Sequence, residues 1–123
     1  PQSGTLAIPE AGMTLKMALI PNCTEVFKSV NKFDINYAAI CGIMTLTSRF
    51  EGDKVRFSYR GCTKSLKELF REKKLTHFER ELVPVIRDGA GIVAVYGFGV
   101  AERCEAKTGD TVLRIEIQNK NNN

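Results

Sequence analysis

The sequence predicts an α+β domain: several short strands carrying one or two short helices. Three observations point there. Apolar and polar residues alternate with period two at Met13–Ile20, Val55–Tyr59 and Leu113–Ile117. Turn dipeptides recur between such runs, at Gly52-Asp53, Asp88-Gly89 and Gly109-Asp110. Only around Leu66, Leu69 and Phe70 does the apolar spacing change clearly to that of a helix. At 123 residues the chain suits one domain with a modest core.

Residues 1–12 read as a linker or extended lead-in, with Pro9 and Gly12 as breakers. The single domain is expected over 13–118. Met13, Leu15, Met17 and Leu19 mark the first half-buried strand, which Pro21-Asn22 ends. Residues 25–30 are ambiguous, although Val26, Phe27 and Val30 could share a face. Phe33-Asp34 and Asn36 suggest a short strand and turn. Ile43 to Phe50, rich in β-branched residues, reads as a strand. After Gly52-Asp53, Val55, Phe57 and Tyr59 alternate with Lys54, Arg56, Ser58 and Arg60. That pattern predicts a hairpin-like pair with one apolar and one basic face.

Thr63 to Lys74 is the strongest helix candidate. Ser65 with Glu68 fits a capping box, and Thr63 is the alternative cap. Leu66, Leu69 and Phe70 then form one face, and Lys64, Lys67, Arg71 and Lys74 line up as a separate basic stripe, with Glu68 and Glu72 beyond it. Thr76 and Glu79 form a second capping box before a short helix ending near Leu82, where Pro84 follows. Val85–Arg87 and Ile92–Val95 are strands around Asp88-Gly89. Gly97 and Gly99 indicate a bend. Gly109-Asp110 leads into a last strand, with Leu113, Ile115 and Ile117 inward. The polar residues 119–123 read as a disordered tail.

Charge is concentrated in one segment. Between Arg49 and Arg87 lie eleven of the eighteen Lys and Arg and six of the fourteen Asp and Glu. That local excess of five exceeds the net +4 of the whole chain. Charge gathered on one local element can bind a polyanion; spread evenly, it mostly confers solubility. A basic helix face is often only a solvated face. Here Lys54, Arg56 and Arg60 on the preceding strand add to it, and Phe50, Phe57, Tyr59, Phe70 and Phe78 are interleaved. Most of these aromatics are expected in the core, with one or two at the rim able to stack on ribose or base. The pattern predicts phosphate tracking on RNA, with double-stranded RNA the natural target.

Other chemistry is poorly supported. No phosphate-loop or nucleophile-elbow motif occurs, and the glycines from Gly89 to Gly99 lack a following helix. Cys62 and His77 could form a nucleophile and base, but without a third, orienting group. Cys23, Cys41, Cys62 and Cys104 include no close pair, so reduced and mostly buried thiols are expected rather than a metal site or disulfides. No apolar run reaches the ~18 residues of a membrane span, and no signal-peptide pattern opens the chain. These features lead to an expectation of a cytoplasmic protein. The chain opens at Pro1 with no Met, which fits a fragment of a longer protein.

The order of motifs resembles a known family. Gly52-Asp53-Lys54, then Gly61, the run Thr63 to Phe70, Arg80, Pro84-Val85, Gly91-Ile92-Val93, Gly97 and Gly99 are similar to the C-terminal domain of tRNA(Ile)-lysidine synthetase. The ordered run covers Leu46 to Ile117. The resemblance implies packed β layers with a helix or two, similar to a domain of the phenylalanyl-tRNA synthetase β subunit. It implies a bacterial parent enzyme that uses ATP and magnesium to activate the wobble cytidine of tRNA(Ile) and join lysine to it. The S-G-G-x-D-S loop of the family's N-terminal catalytic domain is absent from this sequence. This chain is therefore expected to be non-catalytic and without cofactor, holding the tRNA, with the acceptor stem as the contact.

By position, Arg49, Lys54, Lys64, Lys67 and Arg80 match usually basic places of the family. The residues themselves add Arg56, Arg60, Arg71 and Lys74 to the expected RNA-binding set. Thr47 and Phe50 stand where Arg is common, and Glu51 and Thr76 replace frequent prolines. An alternative reading is an interaction module that docks the catalytic domain or a second copy of the chain as a homodimer. A third, a hydrolase built on Cys62 and His77, has no substrate to propose.

Overall fold

Two four-stranded antiparallel sheets and a small hairpin with two short helices make up the computed structural model, which describes residues 3–8 and 13–119. The strands are β1 (Ser3–Ile8), β2 (Met13–Ile20), β3 (Lys32–Asn36), β4 (Thr45–Thr47), β5 (Lys54–Arg56), β6 (Thr63–Ser65), β7 (Val85–Asp88), β8 (Gly91–Val95), β9 (Gly99–Val100) and β10 (Val112–Asn119). The helices are α1 (Leu66–Glu72) and α2 (His77–Glu81), with single 3-10 turns at Tyr37–Ala39 and Glu102–Cys104. The first sheet has the order β1-β2-β10-β3 and the second β4-β7-β8-β9. This is the expected α+β class.

The second sheet is the middle layer. Ile86, Val93 and Ala94 pack with Leu15, Phe33, Ile35, Leu113, Ile115 and Ile117 of the first sheet. From the same strands, Val85, Ile92 and Val95 pack with Val55, Phe57, Leu66, Leu69 and Phe70. A sheet covered on both faces needs nearly continuous apolar strands, and Ile92–Val95 is such a run, buried throughout. The outer strands need only one apolar face, which is why β2 and β10 alternate instead.

α1 begins where the capping box lies. The Ser65 hydroxyl accepts from the Glu68 N–H at 3.1 Å, and the Glu68 carboxylate accepts from the Ser65 N–H at 3.2 Å. Leu66, Leu69 and Phe70 are at most 1% exposed, so this short helix is held by its buried face rather than by its length. The second box, Thr76 with Glu79, opens α2 as expected. The Asp88-Gly89 hairpin also forms.

Several expectations are corrected. The strand predicted over residues 43–50 is only Thr45–Thr47. It pairs with β7 and not with Val55–Tyr59, and Arg87 reaches from β7 to Thr47, Ser48 and Asp53 across that pairing. β5 pairs instead with β6, so Thr63–Ser65 is strand where helix was expected. Leu66 then turns inward, its N–H donating to the Asp53 carbonyl at 3.0 Å. Ser3–Ile8, within the expected lead-in, is an edge strand paired along β2. The ambiguous residues 25–30 form no regular element, and Val30 is exposed. All four thiols are free, but only Cys23 and Cys104 are buried. Asn119 ends β10, and the rest of the expected tail lies outside the described residues.

Candidate nucleic-acid interface

Arg87 organises the loop between β4 and β5. Its guanidinium donates to both Asp53 carboxylate oxygens (3.0 and 2.7 Å), to Thr47 Oγ1 (2.9 Å) and to the Ser48 carbonyl (3.3 Å). Only 13% of its side chain is exposed. The Arg87 hydrogen bonds hold the Asp53 carboxyl below the usual carboxylate range, against the opposing effect of burial. Asp53 Oδ2 also accepts the Phe50 N–H at 2.7 Å, closing the loop into a fixed turn. At Gly52 the turn needs φ +86°, a region that disfavours side chains.

That turn forms one wall of a cleft of about 530 Å³. The start of α1 and the exposed side of α2 supply the other walls. Three of the predicted residues converge here: Arg49, Lys67 and Arg80, with His77 beside them. Arg49 pairs with Glu81 at 3.1 Å, an exposed ion pair of the kind worth ~0–1 kcal/mol. Arg80 donates Nε to the Leu75 carbonyl at 3.1 Å, which fixes the side chain, and its terminal nitrogens make no bond among the described residues. Lys67 is exposed and unpaired among the described residues. Unpaired or weakly paired cations around a concave surface can take phosphate oxygens as partners.

The predicted stripe does not form as one line. Lys64 lies in β6 opposite Val55, on the other face from Lys54 and Arg56. It donates to Glu72 at 3.3 Å, and Arg60 also pairs with Glu72. Glu72 therefore does not stand apart from the cations; it neutralises two of them. Arg56 pairs with Glu102 at 3.0 Å. Lys74 follows the helix in a left-handed conformation, φ +58°. Lys67 and Arg71 remain one turn apart on α1, where i and i+4 share a face. Lys54, Lys67, Arg71, Lys74 and Arg80 are the predicted residues without an acidic partner among the described residues.

Of the interleaved aromatics, Phe57 and Phe70 are core residues, whereas Phe50, Tyr59 and Phe78 are exposed. Tyr59 stacks on Phe57 and donates to the Phe98 carbonyl at 2.8 Å. Sequence reasoning missed Arg87 as the anchor of the cleft wall. Its partners lie 34 to 40 residues away, so no local spacing could reveal it. Among the described residues, no group of three or more His, Cys, Asp or Glu could hold a metal ion.

Residues 44–117 match the family model described as the TilS substrate C-terminal domain. A tRNA(Ile)-lysidine synthase of Caldanaerobacter subterraneus subsp. tengcongensis is 38% identical over 84 residues, 66% of this chain and 18% of that protein. Namesakes from Coxiella burnetii and Clostridioides difficile are 32% and 26% identical, over 61% and 83% of this chain and 17% and 22% of theirs. The chain thus spans about a fifth of the length of these relatives. A crystal structure of a TilS C-terminal domain shares the fold with a TM-score of 0.79, at 21% identity, covering 94% of this chain and 90% of that one. The matched segment includes the cleft, α1 and α2 together with both faces of the middle sheet, and on that match the chain belongs to the TilS substrate C-terminal domain family.

Proposed function

We propose that this chain is the tRNA-holding C-terminal part of a tRNA(Ile)-lysidine synthase, and that it grips the acceptor stem. The observation that carries the reading is the convergence of Arg49, Lys67 and Arg80 on one cleft, with Arg71 a turn beyond on α1. The relatives' names supply the RNA and the reaction. In this reading lysine is joined to the wobble cytidine in a separate catalytic domain, in the bacterial cytoplasm. ATP and magnesium belong to that domain, whose S-G-G-x-D-S loop is not in this sequence. The contribution of this chain is binding energy remote from the reacting atoms, which positions the substrate for chemistry elsewhere.

Binding should weaken steeply with salt, because each phosphate neutralised releases counterions. The triple variant Lys67→Glu, Arg71→Glu, Arg80→Glu should abolish tRNA binding by the isolated chain. Lys67 and Arg71 are exposed, and Arg80 is half-buried and gives up one hydrogen bond, to the Leu75 carbonyl, so circular dichroism should be unchanged. Retained low-salt affinity in that variant would overturn the reading.

A second reading is docking of the catalytic domain or of a second copy of the chain. It is favoured by an apolar groove lined by Leu15, Met17, Met44, Leu46, Ile86 and Ile115, and by Ile43, which is 82% exposed. Sedimentation of the isolated chain tests the homodimer arm of this reading: a strict monomer with measurable tRNA affinity excludes it.

A further inference from the structure

We infer that the cleft takes an unpaired nucleotide from the 3′ end of the RNA, with its base stacked on Phe50; this rests on the tRNA-holding reading. Phe50 is 53% exposed yet fixed in place. Its N–H is held by Asp53, and the Arg87 guanidinium carbon lies 3.9 Å from its ring centroid. Arg87 is itself held by its bonds to Asp53, Thr47 and Ser48. A single exposed hydrophobe normally means nothing. This one is preorganised, so a ligand that stacks on it loses little additional side-chain freedom. The cation beneath the ring draws π-electron density, which makes the outward face a better platform for an electron-rich base.

Stacking requires a base with a free face. Inside a duplex both faces are covered, so the platform selects an unpaired or terminal nucleotide. The cleft, at about 530 Å³, lies within the ~300–1,000 Å³ of small-ligand sites, whereas an A-form helix can only lie across it. The same cleft presents Lys67 and Arg80 for a phosphate, and Glu51 for the base edge, with Glu81 paired to Arg49 beside it. Carboxylates accept from the exocyclic amino groups of cytosine and adenine and disfavour the carbonyl edge of uracil. The single-stranded 3′ end of a tRNA finishes in CCA, every base of which carries such an amino group.

The test uses the complete 123-residue chain and three tRNA(Ile) transcripts: one ending in CCA, one lacking it and one ending in UUU. Affinities are read by fluorescence anisotropy at fixed low salt. Removing CCA should weaken binding by about tenfold, and the UUU transcript, which can still stack on Phe50 but offers no amino groups, should bind more weakly than the CCA transcript. In Phe50→Leu the CCA and truncated transcripts should bind equally, with an unchanged thermal midpoint; Phe50→Trp should preserve the preference. Equal binding of CCA and truncated transcripts by the unaltered chain overturns the inference. If Lys67→Glu still weakens both, the tRNA reading survives that loss. UUU binding as tightly as CCA overturns the choice of amino-bearing bases. Binding of none of the transcripts sinks the tRNA reading, and this inference with it.

Discussion

Asp88 is the residue whose environment is most completely specified. Its carboxylate accepts from the N–H groups of Cys41 and Ala90 at 2.8 Å and of Gly91 at 3.2 Å, and from Arg103 at 2.7 Å. Burial pushes its pKa up, but the Arg103 and backbone hydrogen bonds outweigh that effect and lower it from 3.8 to about 2. The folded-state value is depressed, so the stabilisation is fully present above the unfolded pKa near 4. It is lost as pH falls towards 2, and amounts to on the order of 2 kcal/mol. Asp88→Asn should therefore lower the midpoint of thermal unfolding at pH 7, and the difference from the unaltered chain should shrink between pH 4 and pH 2. Next to it, Gly89 donates to the Cys41 carbonyl at 2.7 Å, and an added Cβ would meet that oxygen at 3.0 Å. Both partners are backbone and neither can rotate away. Gly89→Ala should cost roughly 1–3 kcal/mol, read by urea denaturation.

At the scale of elements, α1 shows how a seven-residue helix survives. It is too short to be stable alone, so its caps and its buried face must hold it. Ser65→Ala removes one half of the capping box and should destabilise by about 1 kcal/mol. Leu69→Ala, at a fully buried position, should cost roughly 2–5 kcal/mol. Chemical denaturation separates the two magnitudes. Both caps were legible in the sequence because a capping box is a four-residue pattern, and the apolar face because its spacing is local. The start of α1 was not. Thr63–Ser65 pairs with Lys54–Arg56 across a turn, and pairing overrides helix propensity for Lys64. The predicted four-cation stripe failed at that residue for the same reason.

For the whole molecule, charge placement matters more than charge amount. The segment between Arg49 and Arg87 carries the chain's positive excess, but folding spends Arg56, Arg60 and Lys64 on Glu102 and Glu72. The cations left around the cleft set the expected salt response. Reversing Lys67, Arg71 and Arg80 together should leave no measurable tRNA affinity at low salt. Neutralising them to Gln should instead reduce the slope of log affinity against log salt by about 3. Filter binding across a salt series distinguishes that change from a uniform loss caused by unfolding.

The sequence alone determined the α+β class, most of the strands, both capping boxes, the apolar face of α1 and the location of the basic segment. These depend on period and on contacts a few residues apart, which a linear pattern records. Only the tertiary structure decided which strands pair, and therefore where each cation points. β4 runs beside β7, where Arg87 is anchored on Thr47, Ser48 and Asp53 by bonds that span 34 to 40 residues. The fixed turn that carries Phe50 into the cleft wall rests on that long-range anchor, whereas the separation of free from neutralised cations rests on the pairing of β5 with β6 and on Glu72 and Glu102. Such contacts form only when distant segments are brought together on a shared core, so no local spacing in the chain announces them.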